Sequence, residues 1–280
     1  MNLIEQLYNI LTESEAIFIG AGSGLSSSAG YEYTDKEFEK NFKDFIDKFS
    51  FTDLYSASFY DFNNEREKWA FWSRFIYQNR YVMPKKPVYQ NLLELIKDKD
   101  YFVITTNVDH VFQRTGFDKE RLFYTQGDYG LLQCSVPCHN KTYDNYEQVL
   151  QMIEQQQDMQ IPEDLIPHCP VCSGKMEANL RKDETFVQDD GWYKAAERYQ
   201  NFIEKHKEGK VLYLDLGTGM NTPAVFKYPF MRMTYNNPSA IYVSINLGQN
   251  ITAKEISDRS ILINKDINEV LEKLLKMKKM

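Results

Sequence analysis

The sequence predicts an α/β protein built on a doubly wound parallel sheet. Three observations predict it. Short apolar runs alternate with longer segments of helical period along most of the chain, the pattern of successive strand–helix–strand units. Several runs end in polar residues, and the carboxyl ends of parallel strands are where open sheets bind ligands. The first run leads into a turn with three glycines in five residues, Gly20, Gly22 and Gly24, where the backbone can turn sharply and approach a ligand closely.

Each element has its own signal. Leu3, Ile4, Leu7, Ile10 and Leu11 recur at helical spacing, so Asn2 to Leu11 reads as an amphipathic helix. Ala16 to Ile19 is a buried strand, and Ser26 to Ala29 begins a helix behind the glycines. Strand, glycine turn and helix start together form a cradle of backbone N–H groups suited to phosphate. Leu25 stands where the third glycine of a dinucleotide fingerprint belongs. Thr34 to Phe49 and Arg66 to Tyr81 read as helices with aromatic stripes, whose plain role is core packing. Val88 to Lys97 is a helix leading to the strand Tyr101 to Thr105, which ends in Thr106-Asn107-Val108-Asp109. A short strand from Leu122 to Thr125 ends in Gln126-Gly127-Asp128. Leu131 to Gln188 lacks clear periodicity. Trp192 to His206 is a helix and Val211 to Leu216 a strand ending in Gly217-Thr218-Gly219. Ile241 to Ile245 ends in Asn246, and a last strand, Ser260 to Asn264, precedes a closing helix from Ile267 to Leu275.

Composition narrows the function classes. The 280 residues are 42% hydrophobic and 26% charged, enough for a sizeable core. The 14% aromatic content argues against disorder. A net charge of −7 argues against nucleic acid as the main partner. The lysines between Lys273 and Lys279 suit a solvated helix end. No apolar run is long enough to span a membrane, and Met1 to Leu11 lacks the positive region of a leader. A cytoplasmic location is therefore expected.

In a reducing compartment, paired cysteines suggest metal before disulfides. All four cysteines fall in two close pairs, Cys134 with Cys138 and Cys169 with Cys172. Each pair can hold one side of a tetrahedral ion as thiolates, and four sulfurs suit Zn²⁺. His139 and His168 flank the pairs as alternative ligands. A closed four-sulfur shell leaves no open position, so the expected role is structural.

Taken together, these features resemble the sirtuin family. The likeness runs from about Leu11 to Leu275 and rests on five features in order. They are Gly20-Ala21-Gly22 with Ser28-Ala29-Gly30, then Thr106-Asn107-Val108-Asp109, then the two cysteine pairs. Gly217-Thr218-Gly219 with Pro223-Ala224 follows, and then Ser244-Ile245-Asn246. The resemblance implies a Rossmann-like NAD-binding domain (1–30, 82–126 and 189–280) and a small domain. The small domain comprises a helical module (31–81) and a zinc-binding module (127–188). It also implies that Gly20, Ala21 and Gly22, with Ser23 and Leu25 beside them, face the NAD pyrophosphate. Asn107 lies near the nicotinamide ribose and Asp109 near the carboxamide. Gly217, Thr218, Gly219 and Asn246 line the adenosine side, with Asp266 near the adenine.

Two departures change the expected chemistry. Deacylating sirtuins carry a histidine general base where this chain has Gln126, and a glutamine amide cannot take a proton at neutral pH. The family's Pro-Asp-Phe-Arg segment is missing, and the chain reads Gly30-Tyr31-Glu32-Tyr33-Thr34-Asp35 there. Both departures are similar to the class M sirtuins of microbes. These transfer ADP-ribose to a lipoylated carrier protein of the glycine-cleavage H type and are paired with a macrodomain hydrolase. Arg181 matches a further basic position of that group. The expected activity is NAD-dependent protein ADP-ribosyl transfer, with Asn107, Gln126, Asp109 and Arg181 at the reacting end. A lysine deacylase that tolerates Gln126 and a non-catalytic NAD or ADP-ribose sensor are the alternatives.

Overall fold

The computed structural model describes residues 2–31, 36–248 and 250–279. Thr34 and Asp35, read above as the start of a helix, lie outside these residues. In chain order the elements are α1 (Leu3–Glu13), β1 (Ala16–Ala21), α2 (Ser23–Ser28), α3 (Lys36–Phe49), α4 (Leu54–Ala57) and α5 (Glu65–Ile76). A π-helical turn, Tyr77–Tyr81, continues α5. Then come α6 (Val88–Ile96), β2 (Asp100–Thr105), α7 (Val111–Thr115), β3 (Leu122–Tyr124), β4 (Gly127–Cys134), β5 (Tyr143–Asp144), α8 (Tyr146–Gln155) and β6 (Met176–Leu180). The chain closes with α9 (Asp190–Lys205), β7 (Val211–Leu216), α10 (Lys227–Asn236), β8 (Ile241–Ile245), β9 (Ser260–Ile263) and α11 (Ile267–Lys278).

Six strands form a parallel sheet in the order β3-β2-β1-β7-β8-β9. The chain leaves β1 toward β2 and later returns to β1's other edge as β7. The strand order therefore reverses beside β1, which places a crevice beyond the carboxyl ends of β1 and β7.

Every residue of β1 and β7 is buried, which is why β1 reads as an unbroken run of apolar and small residues and β7 as one interrupted only by Asp215. Alternation still operates inside β1. Ile17, Ile19 and Ala21 join the core under α1, α6 and α11, whereas Ala16 and Phe18 join the core under α9 and α10. Phe18 packs edge-on against Phe202 with ring centres 4.8 Å apart.

Caps set the helix starts. Asn2 and Glu5 form a reciprocal capping box at α1, and Asp266 caps α11.

A third apolar cluster lies away from the parallel sheet. It joins Phe38, Phe42 and Phe45 of α3 and Trp69, Phe71 and Phe75 of α5 to Leu132, Met152, Cys134 and Cys169. The helical stripes are core, as their spacing predicts, but their core is continuous with that of the cysteine-bearing segment. That segment is more ordered than its periodicity suggests. It contains an antiparallel sheet, β5-β4-β6, and the helix α8. β4 is interrupted by Gly127, Asp128 and Gly130 and is buried at most positions, so it lacks the alternation of a half-exposed strand. Gly127 allows the closest approach in this sheet, because a Cβ there would lie 1.8 Å from the Asn179 carbonyl oxygen.

Candidate active site

The sequence-predicted residues gather at the carboxyl ends of the parallel strands. Gly22 follows β1, Asn107 and Asp109 follow β2, and Gln126 follows β3. Gly217, Thr218 and Gly219 follow β7, Asn246 follows β8 and Asp266 follows β9. Six segments distant in sequence thus meet at one edge of the sheet.

Packing alone already requires the glycines Gly20, Gly22 and Gly24. A Cβ on Gly20 would lie 2.1 Å from the Phe226 ring. A Cβ on Gly22 or Gly24 would meet the Gly217 carbonyl oxygen at 2.8 Å in either case. The turn after β1 and the turn after β7 are therefore packed backbone to backbone. The Gly24 N–H donates to the Gly217 carbonyl at 3.0 Å, and the Gly22 N–H donates to Leu216 at 3.0 Å. Gly217 itself holds φ +70, and a side chain there would strike Gly24. Ala21 and Leu25 give their side chains to the core, so only their backbone faces the turn. Ser23 is exposed at its mouth.

Asn107 and Asp109 are held by the same short helix. Ser26 Oγ donates to Asp109 Oδ2 at 2.5 Å and accepts from Asn107 Nδ2 at 3.1 Å. Asn107 Nδ2 also reaches the Gly22 carbonyl at 3.0 Å, and its backbone N–H donates to Thr105 Oγ1 at 3.0 Å. The Val111 N–H donates to Asp109 Oδ1 at 3.0 Å. Burial pushes the Asp109 carboxyl up, against the bonds from Ser26 and Val111. Tyr89 stands behind, with its hydroxyl 2.9 Å from Ser26 Oγ. A cavity of about 180 Å³ opens beside this network, with Ser23, Ser26, Asn79, Asn107, Asp109 and Tyr129 in its wall.

Gln126 is half-buried, and its Nε2 donates to Thr125 Oγ1 at 3.2 Å. The Arg181 N–H donates to the Gln126 carbonyl at 3.0 Å, which brings these two residues side by side. The Arg181 guanidinium lies 4.6 Å from the Phe186 ring centre and 5.7 Å from that of Trp192. Trp192 Nε1 donates to the Thr125 carbonyl at 3.2 Å, closing that corner. Across the sheet, Asn246 Nδ2 donates to the Thr218 carbonyl at 3.1 Å, and Ser28 Oγ donates to Asp266 Oδ2 at 2.9 Å.

No family model matches the sequence. A protein ADP-ribosyltransferase of Staphylococcus aureus is 40% identical over 273 residues, covering 97% of this chain and 87% of that protein. Among solved structures, a Sir2 homologue–NAD complex superposes with a TM-score of 0.64 at 15% identity, covering 98% of this chain and 93% of that one. The chain belongs to the sirtuin-type protein ADP-ribosyltransferases. A probable bifunctional ADP-ribose hydrolase/ADP-ribosyltransferase of Fusarium oxysporum f. sp. cubense is 30% identical over 233 residues. That alignment covers 78% of this chain and 38% of the fungal protein.

The four cysteines of this ADP-ribosyltransferase lie together, with their sulfurs within 4.8 Å of one another. Cys134 and Cys172 are 3.6 Å apart, as are Cys138 and Cys169. Zn–S bonds of about 2.3 Å give tetrahedral S–S edges of about 3.8 Å, so the cluster fits a Zn²⁺. The histidines are accounted for otherwise. His139 contacts Cys138 Sγ through Nδ1 and Tyr143 OH through Nε2, and His168 Nδ1 lies 3.3 Å from the Ser173 carbonyl. Cys134 and Cys169 belong to the apolar cluster shared with α3 and α5, so the metal and the helical stripes stabilise one core. Cys169→Ser should lower the melting temperature and the zinc content together, from about one ion per chain. A metal-free protein that melts at the wild-type temperature would contradict this.

Two charged groups of the ADP-ribosyltransferase carried no signal in the sequence. Asp215, fully buried at the end of β7, pairs with the fully buried Lys227 at 2.7 Å. It also accepts from Thr218 Oγ1 at 2.6 Å and Tyr242 OH at 2.8 Å. Asp128 pairs with Arg80 and His110. Their charged partners, Lys227, Arg80 and His110, lie well away in sequence, so neither ion pair shows a recognisable spacing.

Proposed function

We propose that the enzyme transfers ADP-ribose from NAD to a lipoylated carrier protein of the glycine-cleavage H type, and that a macrodomain hydrolase reverses the modification. Membership in the ADP-ribosyltransferase family supports the transfer. The observation that carries the reading is Gln126, an amide where a deacylase needs a base. An amide orients by hydrogen bonding and cannot abstract a proton at neutral pH. The hydrolase named in the fungal relative accords with a removable ADP-ribose mark.

In this reading the cofactor lies extended along the strand ends. The turns at Gly22 and Gly217 and the Asn246 amide receive its pyrophosphate and adenosine portions, with Asp266 at the adenine end. Its nicotinamide ribose sits at Asn107. NAD is consumed as a substrate: its glycosidic bond breaks with the electron pair leaving on nicotinamide, positive charge develops on the ribose, and a nucleophile of the acceptor bonds to C1′ and gives up its proton to water. Asn107 and Gln126 turn their amide dipoles toward that charge and the ribose hydroxyls, and Asp109 steadies the departing carboxamide. Arg181, exposed and lying over Phe186 and Trp192, steers an acidic group of the acceptor. The cysteine cluster would hold Zn²⁺ in a closed shell and supply stability, not chemistry. Among the described residues no helix is long and apolar enough to cross a membrane.

The test is a label-transfer assay with NAD labelled in its adenylate, using the carrier with and without its lipoyl group. Label should appear on the lipoylated carrier alone. Release of acyl-ADP-ribose from acylated-lysine peptides would favour a deacylase, and NAD binding without turnover would favour a sensor.

A further inference from the structure

His110 opens α7 with a left-handed backbone, φ 61 and ψ 16. A histidine in this region carries a conformational cost and persists where its surroundings fix it. Here the fixing group is Asp128. Its carboxylate is 3% exposed. Oδ2 pairs with His110 Nδ1, and Oδ1 accepts from Arg80 Nε at 2.6 Å and from the Gly130 N–H at 2.7 Å. Burial pushes the Asp128 carboxyl up, but the hydrogen bonds and charges of His110 and Arg80 outweigh it and hold the group below its usual range.

The position of this cluster matters more than its strength. Arg80 lies in the π-helical turn that ends α5, His110 in the loop after β2, and Asp128 in β4, two residues beyond Gln126. Each is one residue from the wall of the cavity that Asn107 lines, beside Asn79, Asp109 and Tyr129 respectively. The Tyr129 N–H also donates to the Val108 carbonyl at 3.0 Å. One buried carboxylate therefore joins three chain segments immediately behind the cavity.

We infer that His110 is a positioning residue for ADP-ribosyl transfer: its Nδ1 contact with Asp128, opposite Arg80, holds Val108 and Asp109 in register with Asn79 and Tyr129. This rests on the reading that places the reacting end of NAD at Asn107. A displacement of about 1 Å at a reacting centre can cost on the order of 100-fold in rate. Most contacts to NAD lie along other strand ends, so kcat should suffer more than affinity.

Two substitutions separate the hydrogen bond from the backbone strain. Glycine accepts the left-handed backbone and removes the side chain, whereas asparagine tolerates that backbone and places an amide donor close to Nδ1. His110→Gly should lower kcat by about 10- to 100-fold. NAD affinity by calorimetry should change by less than about threefold, since the lost interaction acts mainly on the reacting state. His110→Asn should recover most of the lost kcat. Nicotinamide release into water is measured beside label transfer, because it needs no acceptor. It reports on His110 even if the lipoylated carrier proves to be the wrong acceptor, and it separates that failure from this one. Wild-type kcat in His110→Gly would overturn the inference, as would a loss that merely follows a fall in melting temperature. Equal inactivity of the glycine and asparagine variants, both melting as wild type, would also overturn it, by assigning the imidazole a direct chemical role.

Discussion

Asn107→Ala should lower ADP-ribosyl transfer by about 10- to 1000-fold, the scale for removing one hydrogen-bonding group aimed at developing charge. The geometry explains why so small a change should matter. The Asn107 side chain spends its Nδ2 on Gly22, Ser26 and Tyr89, and no hydrogen bond within the described residues uses Oδ1. The amide is thus locked by its donor end, and in the proposed function its acceptor end serves a ribose hydroxyl or the positive charge on the opening sugar. Because this interaction strengthens as the charge develops, kcat should fall while NAD affinity stays within a few-fold. Gln126→Ala should act in the same direction. Gln126→His would restore the base of a deacylase, yet in a site shaped for an amide it should mostly damage transfer. Label transfer and calorimetry on the same preparations provide the check. Wild-type transfer rates in both alanine variants would remove Asn107 and Gln126 from the chemistry.

The largest stability effect is expected at Lys227. Lys227→Met should destabilise the fold by about 3–5 kcal/mol, the usual consequence of leaving one buried charge without its partner. Both members of the Lys227–Asp215 pair are fully buried. The ammonium approaches away from the ideal hydrogen-bond direction, so the contact is mainly ionic. Thr218, Tyr242 and Ser244 supply the directed bonds to Asp215. Together burial and the neighbouring Asp215 push the Tyr242 hydroxyl well above its usual range, so it stays protonated and donating. The denaturant midpoint should therefore fall clearly in Lys227→Met. Adding Asp215→Asn should recover part of the loss, because the uncompensated charge is then gone. An unchanged midpoint in the single variant would show that the pair contributes nothing.

The parallel sheet was legible because its strands are buried on both faces. Val211–Leu216 and Ile241–Ile245 are mostly apolar runs, each with one polar residue before its last position, and their limits in the structure are those the sequence indicates. Elsewhere, side-chain pattern and local structure separated. α10 was not anticipated, since Lys227, Tyr228, Pro229 and Arg232 obscure its apolar face, and one of these charges is buried rather than exposed. β4 was hidden by its glycines and by Asp128, whose charge is neutralised by residues 48 and 18 positions away. Asn107 and Asp109 were visible as polar residues at a strand end. Ser26, which holds both, read only as part of a helix start. The glycines themselves were visible, but their packing against the turn after β7 was not, because the two turns are far apart in sequence.

The packing of Gly22 and Gly24 against Gly217 has an evolutionary consequence. Neither turn has slack to absorb a side chain on the other, so the permitted residues at these positions depend on one another. Contacts of this kind typically carry coupling energies of about 0.5–3 kcal/mol. A library that diversifies the turn after β1 alone would lose most of its members to collisions with the turn after β7. Changing the shape of either turn would require changing both together, although they lie nearly 200 residues apart in sequence.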